Sequence, residues 1–121
     1  MATYTEPQRP FEFLIAEADG TMSRETVTIV AGSAGLVPGL VLGKITASGK
    51  YAPYDDDNVD GTETAAAILL EAVDATADVS AAVIFRLAEV KTAALQWAGT
   101  NDAGDKTAAY VDLAAKYIIA R

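Results

Sequence analysis

The chain has 121 residues, 51% of them hydrophobic, with 17 acidic against 9 basic side chains and a formal net charge of −8. That length suits one domain with a modest core, and the acidic surface disfavours contact with the phosphate backbone of nucleic acid. With no histidine and no cysteine, the chain lacks the commonest general base, the best nucleophile, the usual zinc ligands and any disulfide.

In chain order, Met1–Pro10 carries Pro7 and Pro10 without helical or strand periodicity and reads as an extended arm. It holds no apolar signal-peptide core, and no apolar run further along approaches the roughly 18 residues of a membrane span. Phe11 and Phe13 alternate with Glu12 and lead into Leu14-Ile15-Ala16, a strand. After the turn signal Asp19-Gly20, Arg24–Ala31 sets Val27 and Ile29 against Thr26 and Thr28, which predicts a half-buried strand. The two strands are expected to pair as a hairpin.

Pro38-Gly39, Gly43 and Ser48-Gly49 then interrupt the chain so often that no helix fits between them. The pattern predicts a sharply bent ribbon of short strands, with glycines at bulges or corners. Neither Ser33-Ala34-Gly35 nor Gly39–Gly43 carries the lysine of a phosphate-binding loop. No enzyme activity and no cofactor are expected.

The stretch Pro53–Ala65, PYDDDNVDGTETA, looks at first like a calcium loop. Asp56, Asn58, Asp60 and Gly61 occupy the first, third, fifth and sixth positions of the EF-hand pattern. The twelfth position is Ala67, which has no ligand atom, and Glu63 comes too early to close around the same ion. Pro53 also stands where a helix would have to lead in. A solvated turn explains the same residues, since Asp and Asn bond to their own backbone and Gly61 supplies positive φ.

Glu63–Ala77 has the composition of a helix when judged locally. Ala81–Val90 alternates Val83, Phe85 and Leu87 as a strand would, and the residues between the two segments read as a turn. Trp97, the single tryptophan, is expected in the core or at an interface, with core favoured. Asn101–Asp105 reads as a loop, with Asp105 capping a helix from about Lys106 to Ala120 whose face holds Tyr110, Leu113, Ala114 and Tyr117.

Several local patterns recur here in one order. They are Pro38-Gly39, Leu42-Gly43, Gly49-Lys50-Tyr51 before the acidic turn ending in Asp60-Gly61, and the alanine-rich run into Ile68-Leu69. Val73-Asp74-Ala75-Thr76, Ala88-Glu89-Val90, Leu95 with Trp97 and the tail Leu113–Arg121 continue the series. In that order, over Phe11–Arg121, the chain resembles the head decoration proteins of tailed bacteriophages, the lambda-like D family. The resemblance implies a non-catalytic virion protein on the outer surface of the capsid head. Three copies would bind the expanded shell at three-fold and quasi-three-fold positions and stabilise it against the pressure of packaged DNA.

The implied fold is mainly β with a short C-terminal helix, a β-clip-like bent ribbon of short strands preceded by an extended N-terminal arm. Glu63–Ala77 then becomes strand, with tertiary context overriding propensity. The implied division is an arm, residues 1–10, and a single decoration-protein domain, residues 11–121. The arm would add a strand to the major capsid protein through Thr3, Tyr4, Thr5, Glu6, Pro7, Pro10, Phe11 and Phe13, with Tyr4, Phe11 and Phe13 as apolar anchors. Phe11 and Phe13 could equally be ordinary strand core. Homotrimer and major capsid protein are the implied partners, with no nucleic acid, membrane, metal or cofactor. The alternative is a small phage surface binding module that uses the Asp55–Asp60 loop for calcium or host-surface contact.

Overall fold

The computed structural model describes residues 13–17, 23–98 and 101–121. Among these residues ten short strands run in chain order: β1 Leu14–Glu17, β2 Arg24–Ile29, β3 Ser33–Leu36, β4 Val41–Lys44, β5 Tyr51–Pro53, β6 Ala65–Leu69, β7 Val73–Ala75, β8 Val79–Ile84, β9 Ala88–Val90 and β10 Ile118–Ala120. A 3₁₀ turn at Thr92–Ala94 and one helix, α1, Ala103–Ala114, lie between β9 and β10. The fold is therefore mainly β with one short C-terminal helix, as the sequence predicts.

The bent ribbon closes on itself. Strands β2, β5, β4, β6 and β8 form a closed barrel in that order, while β1-β9-β10 and β3-β7 form two small sheets beside it. Side-chain alternation assigns the two cores. Ile29, Leu42, Tyr51, Ala67, Leu69, Ala81 and Val83 come from all five barrel strands and share one buried cluster, so that cluster is the barrel interior. Their neighbours Val41, Ile68 and Ile84 point the other way, into a second cluster with Phe13, Val90, Leu113 and Ile118. This second core lies between the barrel, the β1-β9-β10 sheet and α1.

Strand β6 shows why local propensity misleads over Glu63–Ala77. All residues from Ala65 to Leu70 are buried, and β6 is paired to β4 on one side and β8 on the other. A surface helix would bury only one stripe of this apolar run, whereas a strand between two cores buries both of its faces. The rest of the segment supplies β7, paired antiparallel to β3.

Three expectations need correction. The first two strands do not form a hairpin: β1 pairs with β9, and β2 pairs along its whole length with β8, from Arg24 opposite Ile84 to Ile29 opposite Val79. Phe13 and Ile29 belong to different cores, so a hairpin would bring one of them to the wrong side. The C-terminal helix also stops short. Its N-cap is Asp102 rather than Asp105, with a reciprocal capping box in which Asp105 N donates to Asp102 Oδ1 (2.9 Å) and Asp102 N to Asp105 Oδ2 (3.1 Å). After Ala114 the chain turns through Tyr117, at φ 61°, and Ile118–Ala120 becomes β10, parallel to β9. There Ile118 is fully buried, a gain that one more exposed helical turn would not give. Likewise Ala81–Val90 is two strands, broken at Leu87 with φ 56°.

The glycine corners are as the sequence predicts at β4. The β4–β6 register slips between Leu42 and Gly43, the signature of a bulge. A Cβ at Gly43 would stand 2.5 Å from Thr62 Cα and 2.8 Å from Thr62 O, and backbone there cannot step aside. Gly43→Ala is therefore expected to lower stability by about 1–3 kcal/mol. The check is a fall in the urea midpoint at unchanged slope.

Candidate functional site

Of the eight residues assigned to a binding arm, Thr3, Tyr4, Thr5, Glu6, Pro7, Pro10 and Phe11 lie outside the described residues. Phe13 is described, and it is fully buried among Val90, Leu113 and Ile118. Its carbonyl accepts from Lys91 N at 2.7 Å. Phe13 is thus core, and it roots whatever precedes it against β9.

Immediately after this root comes β1, an edge of the β1-β9-β10 sheet. Leu14 faces Val90 and Ala16 faces Glu89, which leaves Ile15 as the extra residue of a bulge. Ile15 is 47% exposed. On the opposite edge Ile119 is exposed and sits across from Glu89, whose carboxylate pairs with Arg121 at 2.5 Å. A sheet edge is a template for another strand. Ile15 was not legible as a surface residue, because its apolar neighbours gave no hint of a bulge.

The acidic stretch is a turn, built by its own polar groups. Asp57 N donates to Asp55 Oδ1 (3.0 Å), Thr62 N to Asp60 Oδ1 (3.1 Å), and Asn58 Nδ2 to Thr62 Oγ1 (2.8 Å). The Thr62 hydroxyl donates to Asp60 Oδ1 at 2.5 Å, and this bond above all holds the Asp60 carboxyl below its ordinary range. Thr62 itself is fully buried. The loop is clamped at its base, where Thr46 N donates to Asp60 O (2.9 Å) and Asp55 N to Thr62 O (3.1 Å). Gly61 sits at φ 112°, with the Thr46 side chain and backbone where a Cβ would go, so no other residue fits there.

A second clamp comes from the helix side. Asn101 Nδ2 donates to Tyr54 O (3.0 Å) and Ala98 O (2.8 Å), and the Tyr54 hydroxyl donates to Asp105 O (3.0 Å). Burial, reinforced by Asp56, pushes the Tyr54 pKa up. Trp97 stacks edge-on between Tyr54 (6.1 Å) and Tyr110 (5.8 Å), half-buried against the second core. Among the described residues no group of three or more acidic side chains is placed to hold a metal ion. The Asp55 and Asp60 carboxylates are engaged in making the loop.

Across the barrel, Asp78 ties three segments together. Its carboxylate accepts from Lys50 Nζ (2.5 Å) and from Ala31 N (2.7 Å), and these donors, Lys50 first, hold its pKa down. Asp60 and Asp78 therefore stabilise the fold in full above the unfolded carboxylate value of about 3.9. That contribution is lost as pH falls below it through their depressed folded values. The wild-type thermal midpoint should drop on acidification over roughly pH 5 to 2. The drop should be shallower in Asp60→Asn and Asp78→Asn; parallel curves for all three proteins would refute the assignment.

Compared with known protein families, residues 3–118 match the family model described as bacteriophage lambda head decoration protein D. A search of curated proteins returned no match.

Proposed function

This chain belongs to the bacteriophage lambda head decoration protein D family, and from that premise we propose that it works as a trimeric clamp on the capsid. The family is a structural one that decorates the outside of the phage capsid in the virion, so the chain is a capsid decoration protein. In the proposed mechanism three copies seat together at three-fold and quasi-three-fold positions of the expanded shell. There they hold neighbouring capsid subunits against the pressure of packaged DNA. The observation that carries this reading is the span of the family match, which begins at residue 3 and so takes in the arm together with the domain.

The arm gives the clamp its grip by adding a strand to the major capsid protein. Ordering it costs about 1–2 kcal/mol per residue in backbone entropy. Main-chain hydrogen bonds to a sheet edge offset that cost. Tyr4 and Phe11 add apolar contact, and Phe13 fixes the arm's root in the core. Three arms on one trimer act as one multivalent ligand, so each arm's modest affinity is multiplied. A clamp of this kind needs contact area and a rigid body rather than a cleft with activated side chains.

The test is co-sedimentation with expanded, undecorated heads, comparing the full chain with a form lacking residues 1–10. Saturation in multiples of three per site is expected, with the truncated form weakened on the order of a hundredfold. Binding indifferent to the truncation would remove the arm from the mechanism, and failure of the full chain to bind would remove the clamp.

A further inference from the structure

Three subunits that each bring a charge of −8 repel one another unless their contact pairs unlike charges. One cleft offers such a pairing. It is open, about 500 Å³, with a floor of Tyr51 and Ala66 and a rim that carries Lys44 and Lys116. Both lysines are exposed, and neither has an ion-pair partner among the described residues. The carboxylate in the cleft wall, Glu63, accepts from Gly61 N at 2.7 Å, so it is held to its own loop. Thr46 and Thr64 complete a mixed lining in which Tyr51 and Ala66 are the most buried side chains.

The complementary shape is on the same chain. The tip of the acidic loop, residues 56–59, is exposed, and Val59 at 95% is the most exposed large hydrophobic side chain among the described residues. Asp57 beside it has a carboxylate without a partner among the described residues. The loop that presents them is braced at Gly61, Thr62 and Asn101, so little conformational freedom remains to be lost on docking. An exposed valine between Asn58 and Asp60, with Asp57 close by, suits a cleft that has Tyr51 and Ala66 in its floor and lysines on its rim.

We propose that the Asp57–Val59 tip of one subunit seats in the Lys44–Lys116 cleft of the next, closing three subunits head to tail. The inference rests on the trimer reading above and names its contact. Subunits around a three-fold axis meet through two different patches that flank the axis. Gly61 and Glu63 follow the tip and line the cleft, so the two patches adjoin one another through the same loop.

The chain has no native cysteine, so thiol cross-linking reads the contact directly. Heads decorated with the Val59→Cys, Lys116→Cys double variant are treated with a short bis-maleimide and run on a denaturing gel. Cross-linked trimers are expected, with each single variant giving none. Only monomers, while wild type still fills sites in threes, would overturn the contact and leave the trimer standing. A product the size of one subunit plus capsid protein would overturn it too, giving the cleft to the shell. Wild type that does not saturate in threes would instead sink the underlying trimer reading.

A second measurement uses charge alone. Lys44→Glu with Lys116→Glu should weaken binding to heads on the order of tenfold, with circular dichroism unchanged, and adding Asp57→Lys should restore it. No rescue would count against the pairing.

Discussion

Both faces of β6 are buried, and the rest of the molecule is arranged to make that possible. Ala67 and Leu69 fill the barrel, while Ala65 and Ile68 belong to the core shared with α1 and the β1-β9-β10 sheet. A strand that serves two cores needs a neighbour on each edge and a cover on each side. The neighbours are β4 and β8, and the cover on the outer side is α1 with Phe13, Val90 and Ile118. The alanines matter because small side chains let those covers approach. The start of β6 is also joined to the helix directly, Ala65 N donating to Asp112 Oδ2 at 3.1 Å.

The same dependence explains what could be read from the sequence. Alternation in β2, the glycine bulge at Gly43, the turn chemistry of Asp55–Gly61 and the presence of a C-terminal helix are set by residues near one another in the chain. They were legible for that reason. Strand β6 was not, because its alanines and leucines favour a helix until β4 and β8 are on either side. The pairing of β1 with β9 and the switch of Ile118–Ala120 from helix to strand depend on partners far away in sequence. No window of local composition contains them; the family resemblance supplied the strand assignment for Glu63–Ala77 because it carries the whole fold at once.

The functional surface divides in the same way. That the chain is a decoration protein followed from its ordered motifs. Of the two phenylalanines offered both as arm anchors and as strand core, Phe13 is fully buried in the core, while Phe11 lies outside the described residues. Ile15, one step further on, is exposed through a bulge that only the register with β9 reveals. Local sequence cannot say where the domain begins, because that is decided by what packs on β9, as Phe13 does.

The long-range pairing of β1 and β2 has a kinetic side. Their partners, β9 and β8, come late in the chain, and β10 comes later still. Topologies dominated by such distant pairings fold slowly, in milliseconds to seconds, because chain closure entropy is lost before contacts reward it. During synthesis β1 and β2 would leave the ribosome with no strand to accept them, and the barrel could close only after β8 had emerged. The barrel is thus a late product of synthesis, and until β8 arrives the earliest strands are exposed edges that a crowded, infected cell must keep apart.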